Sequence, residues 1–207
     1  MHKILIATHN QGKLKRYKNL FSDFDNLDLV SLGDLNIDFK VDEPFDSPQD
    51  NSIYKAREYA KIACLPTIAI DEALSTNFLP DNEQPNVFVR RFCKDRKELS
   101  DLEVLDVWRK IFQNYPGGNK QFIWDFRMTY YDPQNNIFKT AQAVQRDYFI
   151  GVFSDKLNPG YPMSSFMVPE RYKKPYVELN QDELLEIDRR NLMPFRKLLQ
   201  DVLKNIN

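Results

Sequence analysis

The chain opens on a short apolar run, Lys3 to Ala7, which predicts a buried strand. Thr8-His9-Asn10-Gln11-Gly12 interrupts it with polar residues. From Lys13 onward, Leu14, Tyr17, Leu20 and Phe21 recur at helical spacing. A strand, a polar turn and a helix in that order put backbone N–H groups at the strand's end, where an anion can sit. Leu27 to Leu32 predicts a second strand. An acidic, proline-containing loop, Asp42 to Pro48, leads into a helix over Gln49 to Cys64, with Ile53, Ala56, Ala60 and Ala63 on one face. Thr67 to Ile70 predicts a third strand, with Asp71 and Glu72 directly after it and a polar loop from Thr76 to Pro85.

Asp101 to Tyr115 carries Leu102, Leu105, Trp108, Ile111 and Phe112 at core spacing for a helix. Gln121 to Asp132 and Ile137 to Val152 predict a hairpin joined by Asp132-Pro133-Gln134-Asn135-Asn136. Residues 154 to 178 are rich in Pro, Ser and Tyr and read as irregular. Gln181 to Asn205 predicts a closing helix with a weak point at Pro194.

Composition narrows the classes. With 207 residues the chain suits one domain with a real core. A formal net charge of −1 gives no global basic field for a nucleic acid polymer. No apolar stretch approaches the length of a membrane span, and the opening apolar run is too short for a signal peptide. Cys64 and Cys93 follow neither a metal spacing nor a disulfide framework, so both are expected to be reduced and buried. These features together predict a cytoplasmic protein.

Four groups of residues carry candidate chemistry. Thr8, Asn10 and Lys13 bring a hydroxyl, an amide and an ammonium to the first turn, a set that suits a polyphosphate and equally suits a capped helix with a solvated lysine. Glu43, Asp71 and Glu72 are hard oxygen donors of the kind Mg²⁺ takes, or loop carboxylates facing water. Lys55 lies one helical turn past Asn51, and periodicity alone reads it as a surface lysine. Tyr161 could stack on a base and Asp188-Arg189-Arg190 could read its edge, or they are a core tyrosine and a charged helix face.

In order and spacing these groups resemble the inosine triphosphate pyrophosphatase family. Its opening Ser/Thr-x-Asn-x-x-Lys is Thr8, Asn10 and Lys13 here. Its metal-binding Glu, twelve residues ahead of a helical Lys, is matched by Glu43 and Lys55. Its Glu-Asn-Ala-x-x-Lys-Ala is Asp50 to Ala56, and its Ala-Asp-Asp-Ser-Gly-Leu is Ala69-Ile70-Asp71-Glu72-Ala73-Leu74. Its Pro-Gly-Val-Tyr-Ser-Ala-Arg-Tyr is Pro85 to Phe92. The base-reading loop, Gly-Phe-Gly-Tyr-Asp-Pro, becomes Pro159 to Ser165, which keeps Tyr161 and loses the Asp. The late Ser-His-Arg becomes Asp188-Arg189-Arg190.

The resemblance implies one domain over 1–207, of α/β class, with a long mixed central sheet, flanking helices and two lobes around a cleft. It implies Mg²⁺-dependent hydrolysis of a nucleoside triphosphate to monophosphate and pyrophosphate, by a homodimer. Asp71, Lys13 and Lys55 would be catalytic, with Glu43, Asp71 and Glu72 at the metal. Thr8, Asn10, Lys13, Lys55, Tyr161, Arg189 and Arg190 would bind substrate. Because the changes fall mainly on the base-reading residues, an altered base preference among non-standard purine nucleotides is expected. The alternatives are a nucleotide-binding protein with weakened catalysis and a hydrolase of a different modified nucleotide.

Overall fold

The computed structural model describes residues 1–92 and 97–205. It is an α/β fold. Among the described residues, six strands form one mixed sheet: β1 (His2–Ile6), β2 (Leu27–Ser31), β3 (Thr67–Thr76), β4 (Lys120–Asp132), β5 (Ile137–Phe149) and β6 (Met167–Pro169). Their spatial order is β2-β1-β3-β4-β5-β6. β1 pairs in parallel with both β2 and β3, and β6 pairs antiparallel with β5. Among the described residues, five α-helices accompany the sheet: α1 (Gln11–Leu20), α2 (Pro48–Ala63), α3 (Asp101–Asn114), α4 (Gln181–Asn191) and α5 (Met193–Asn205).

Local chemistry sets the helix limits. Asn10 caps α1 by accepting the Lys13 N–H on its side chain. Ser47 caps α2 and accepts the Asp50 N–H, while Pro48 fills a first-turn position where no N–H is needed. Ser100 and Glu103 close a reciprocal capping box on α3. The predicted closing helix is two helices, interrupted at Leu192. Pro194 lies in the first turn of α5, which tolerates the missing donor.

The chain folds as two compact units. The first comprises Met1–Glu72, Asp125–Ala143 and Asp188–Asn207. Its core joins Leu5, Val30 and Leu32 to Val41, Ala56, Tyr59 and Ala69. The second comprises Ala73–Trp124 and Val144–Ile187. Its core is aromatic and centres on Trp108, which is fully buried and lies 5.3 Å from the Phe122 ring. Phe112 stacks on Phe149 at 3.9 Å, so Trp108 and Phe112 are core residues of their helix. In this unit Asn86 stands where the resembled motif has Gly and adopts φ 47, a left-handed conformation that Asn tolerates.

Several local expectations need correction. β3 does not end at Ile70 but continues through Asp71 and Glu72 to Thr76. The segment read as irregular contains β6. Leu102 is 65% exposed, because the buried face of α3 is Val104, Leu105 and Trp108. The buried face of α2 is polar in part, with Asn51, Ser52, Lys55 and Tyr59 beside Ala56 and Ala60, while Ile53 and Ala63 are half-buried. Cys64 is exposed: it ends α2 at φ 52, where the chain turns outward. Cys93 lies outside the described residues.

Candidate active site

The alternation of β3 decides the geometry of the site. Successive strand residues face opposite sides of a sheet. Ala69 packs into the core with Ala56 and Tyr59 of α2, so Asp71, two residues on, faces α2 as well. Glu72 faces the other way, and its carboxylate meets the Lys13 ammonium of α1 at 2.9 Å. The two adjacent acids are thus held by lysines from two different helices.

Lys55 stands at the centre of the α2 side. Its Nζ donates to Glu43 Oε1 at 2.8 Å, to the Ile70 carbonyl at 3.0 Å and to Asp71 Oδ1 at 3.2 Å. An ammonium has three N–H groups, so each has a partner. Lys55 is buried, contrary to the surface placement that periodicity suggests. Burial works against its charge, but Asp71 and Glu43 more than offset that and hold the amine above its ordinary pKa.

The two carboxylates differ in character. Burial pushes the Asp71 carboxyl above the ordinary Asp range; Lys55 opposes this and the Glu43 charge adds to it. Burial also works against the Glu43 charge, yet Lys55, with smaller help from Lys13 and Lys40, holds that carboxyl below its ordinary range. Lys13 acts on the charges of both acids, so Lys13, Glu43, Lys55 and Asp71, distant in the sequence, form one electrostatic group. Asp71 Oδ2 is buried and has no hydrogen-bond partner among the described residues. A buried carboxylate oxygen left in that state calls for a cation or a water.

Glu43 lies on a loop held by two clamps that sequence reasoning did not single out. The buried Asn51 amide brackets Phe45: Oδ1 accepts the Phe45 N–H at 3.0 Å, and Nδ2 donates to the Phe45 carbonyl at 2.9 Å. On the other side, Tyr59 Oη accepts the Val41 N–H and donates to the Phe39 carbonyl, each at 3.1 Å. Both residues belong to α2, so one helix presents Lys55 and fixes the loop that carries its partner. The polar residues recurring along that helix are the signal for these clamps.

In the first turn, Thr8 Oγ1 accepts the Asn10 N–H at 3.2 Å, and Asn10 Oδ1 accepts the Lys13 N–H at 3.0 Å. Oxygen lone pairs are therefore engaged in the turn, while a threonine hydroxyl also carries a donor suited to an anion. The remaining predicted residues have other partners. Arg189 and Arg196 both bind Asp23, at 3.3 and 2.8 Å. Arg190 Nε donates to Asn191 Oδ1. Asp188 pairs with Arg16 at 2.7 Å. Tyr161 belongs to the second unit, where its N–H donates to the Asn158 carbonyl. Among the described residues, no three His, Cys, Asp or Glu side chains gather in a metal-binding group.

Fold and site define a class: an α/β protein that sets a lysine-bridged pair of acids beside a capped strand-to-helix turn. The sequence profile of the Ham1 family matches residues 4–200, and the chain belongs to the Ham1 family. Among curated relatives, proteins named dITP/XTP pyrophosphatase are similar to it. The one from Photobacterium profundum is 38% identical over 106 residues, 51% of this chain and 52% of that one. The Escherichia coli one is 36% identical over 121 residues, 58% of each. The chain spans about half the length of the first curated relatives it matches. A HAM1 protein structure from Coxiella burnetii superposes with a TM-score of 0.76 at 21% identity, covering 99% of this chain and 100% of that one. The Staphylococcus aureus Ham1 structure gives 0.69 at the same identity, with the same coverage. At that identity these two structures speak to the fold alone.

Proposed function

We propose that this protein hydrolyses nucleoside triphosphates to monophosphate and pyrophosphate, and that its substrates are non-standard purine nucleotides of the dITP/XTP kind. The observation that carries this reading is the buried Asp71 carboxyl, raised in pKa, with Oδ1 held by Lys55 and Oδ2 without a partner. The names of the curated relatives supply the substrate class.

A carboxylate with a raised pKa is a better base than an ordinary one. In this reading Oδ2 of Asp71 orients a water and takes its proton as the water oxygen bonds to the α-phosphorus. The bond from that phosphorus to the bridging oxygen breaks, and pyrophosphate leaves with the electron pair. Lys55 fixes Asp71 and places positive charge beside the phosphates. Lys13, Thr8 and Asn10 direct N–H and O–H donors at the phosphate oxygens from the start of α1, where backbone N–H groups also point.

The residues fit a divalent metal. Glu43 and Asp71 converge on a single ammonium, and their carboxylates are hard oxygen donors of the type Mg²⁺ prefers. Glu43 and Asp71 would hold the ion, which neutralises phosphate charge when bound. Glu72, on the opposite face and paired with Lys13, would instead set the position of that lysine. We take the working form to be a cytoplasmic homodimer, as the resemblance implies.

The test is a panel of standard and non-standard triphosphates incubated with Mg²⁺ and scored separately for pyrophosphate and orthophosphate. Pyrophosphate release, greatest with dITP or XTP, supports the reading. Nucleotide binding with no pyrophosphate at any Mg²⁺ concentration would reduce the protein to a binding module.

A further inference from the structure

β4 carries two charged residues on the face that turns toward α2. Thr129 fixes this orientation, since its hydroxyl meets Ser52 Oγ of α2 at 2.8 Å. Tyr131 packs against the same core as Ala56 and Tyr59. Counting back by twos places Arg127 and Asp125 on that face. β4 lies next to β3 in the sheet, and Asp71 faces α2 from β3. Ser52 and Lys55 are one helical turn apart on α2, so the helix residue that touches Thr129 neighbours the one that grips Asp71.

Arg127 is held rather than loose. Its Nε and Nη2 donate to Asp125 Oδ1 and Oδ2, each at 2.9 Å, in a side-on bidentate pair. Gln142 of β5 donates to Asp125 Oδ1 at 3.0 Å and steadies the acid. The Arg127 and Asp125 side chains are 25% and 32% exposed. A guanidinium has a second bidentate edge, Nη1 with Nη2, whose geometry matches two phosphate oxygens.

We propose that Arg127 is a substrate-contacting residue: Asp125 and Gln142 hold the guanidinium side-on, and its outer edge binds the polyphosphate on the α2 face of the sheet. This rests on the reading of the Lys13, Glu43, Lys55 and Asp71 group as a triphosphate site. The charge balance agrees with it. Asp125 cancels Arg127 while the site is empty of substrate, and a polyanion arriving on that face meets a cation already oriented, with little side-chain ordering left to do.

The experiment uses the full chain with Arg127→Met and Arg127→Lys, and inorganic tripolyphosphate as a probe without a base. Its affinity is measured by calorimetry, independent of turnover, and KM and kcat are measured with the best triphosphate. Arg127→Met is expected to weaken tripolyphosphate binding and raise KM by about tenfold each, with kcat changed far less. Arg127→Lys keeps the charge without the fork and is expected to fall between Met and wild type. Unchanged tripolyphosphate affinity in Arg127→Met overturns the proposal, whether or not its melting temperature moves. If Arg127→Met does not fold, Arg127→Lys decides, since wild-type affinity there overturns the bidentate contact. A wild type that binds tripolyphosphate but never releases pyrophosphate would defeat the hydrolase reading instead, and the affinities would still judge Arg127.

Discussion

Replacing Lys55 with Met removes one charge at the point where two acids depend on it. The side chain is nearly isosteric, so little packing is lost. What remains is Asp71, whose side chain is 8% exposed, with Glu43 nearby and no cation touching it. Breaking a buried pair by removing one partner costs about 3–5 kcal/mol. Glu43 is 35% exposed and can turn to water, so the lower end applies, about 3 kcal/mol. For a chain of this size that is a fall of roughly 6–12 °C in melting temperature.

The loss should depend on pH, with a definite sign. Without Lys55, the folded-state pKa of Asp71, already raised by burial, rises further above its unfolded value. A group raised in this way stabilises the fold at acid pH, and that stability is lost as pH rises through the folded pKa. Melts followed by circular dichroism should therefore show a large gap between Lys55→Met and wild type at about pH 8 and a much smaller one at about pH 5. A variant that melts with wild type at the higher pH, or a gap that does not narrow in acid, would refute the desolvated-cluster reasoning.

Two further outcomes follow from the same geometry. Asn51→Ala removes both bonds to the Phe45 backbone and should cost about 1–3 kcal/mol in urea denaturation. Because it loosens the loop that carries Glu43, it should also raise the Mg²⁺ needed for half-maximal pyrophosphate release by roughly tenfold. Without Mg²⁺, the Asp71 carboxyl followed by NMR titration should ionise above the ordinary Asp range, because burial holds its pKa up; ionisation at or below that range would refute the buried-carboxyl reasoning.

Much of the site was legible because its signals are local. The turn from Thr8 to Lys13 is a few residues long, and Asn10 announces the cap of α1. The hairpin and the break near Pro194 follow from turn chemistry and proline sterics. Asp71 and Glu72 were harder, because two charges in a row look like the end of a strand. Their neutralising lysines come from α1 and α2, and that kind of compensation has no periodic trace. Lys55 looked like a surface residue for the same reason. Leu102 shows the opposite error: it fits the helical repeat of α3, but it lies in the first turn, where the core does not reach. Asp125 and Arg127 are spaced as an outward face of a strand would be. The contact from Thr129 to Ser52 and the packing of Tyr131 against the α2 core show that this face turns toward α2.

The central claim is that Asp71 drives pyrophosphate release from a triphosphate. Wild type and Asp71→Asn, matched for fold by circular dichroism, should be compared with dITP at saturating Mg²⁺. Wild type should give equal amounts of monophosphate and pyrophosphate, and the variant should lose roughly 10²–10⁴-fold in rate. Undiminished turnover by Asp71→Asn, or orthophosphate as the product of wild type, would contradict it.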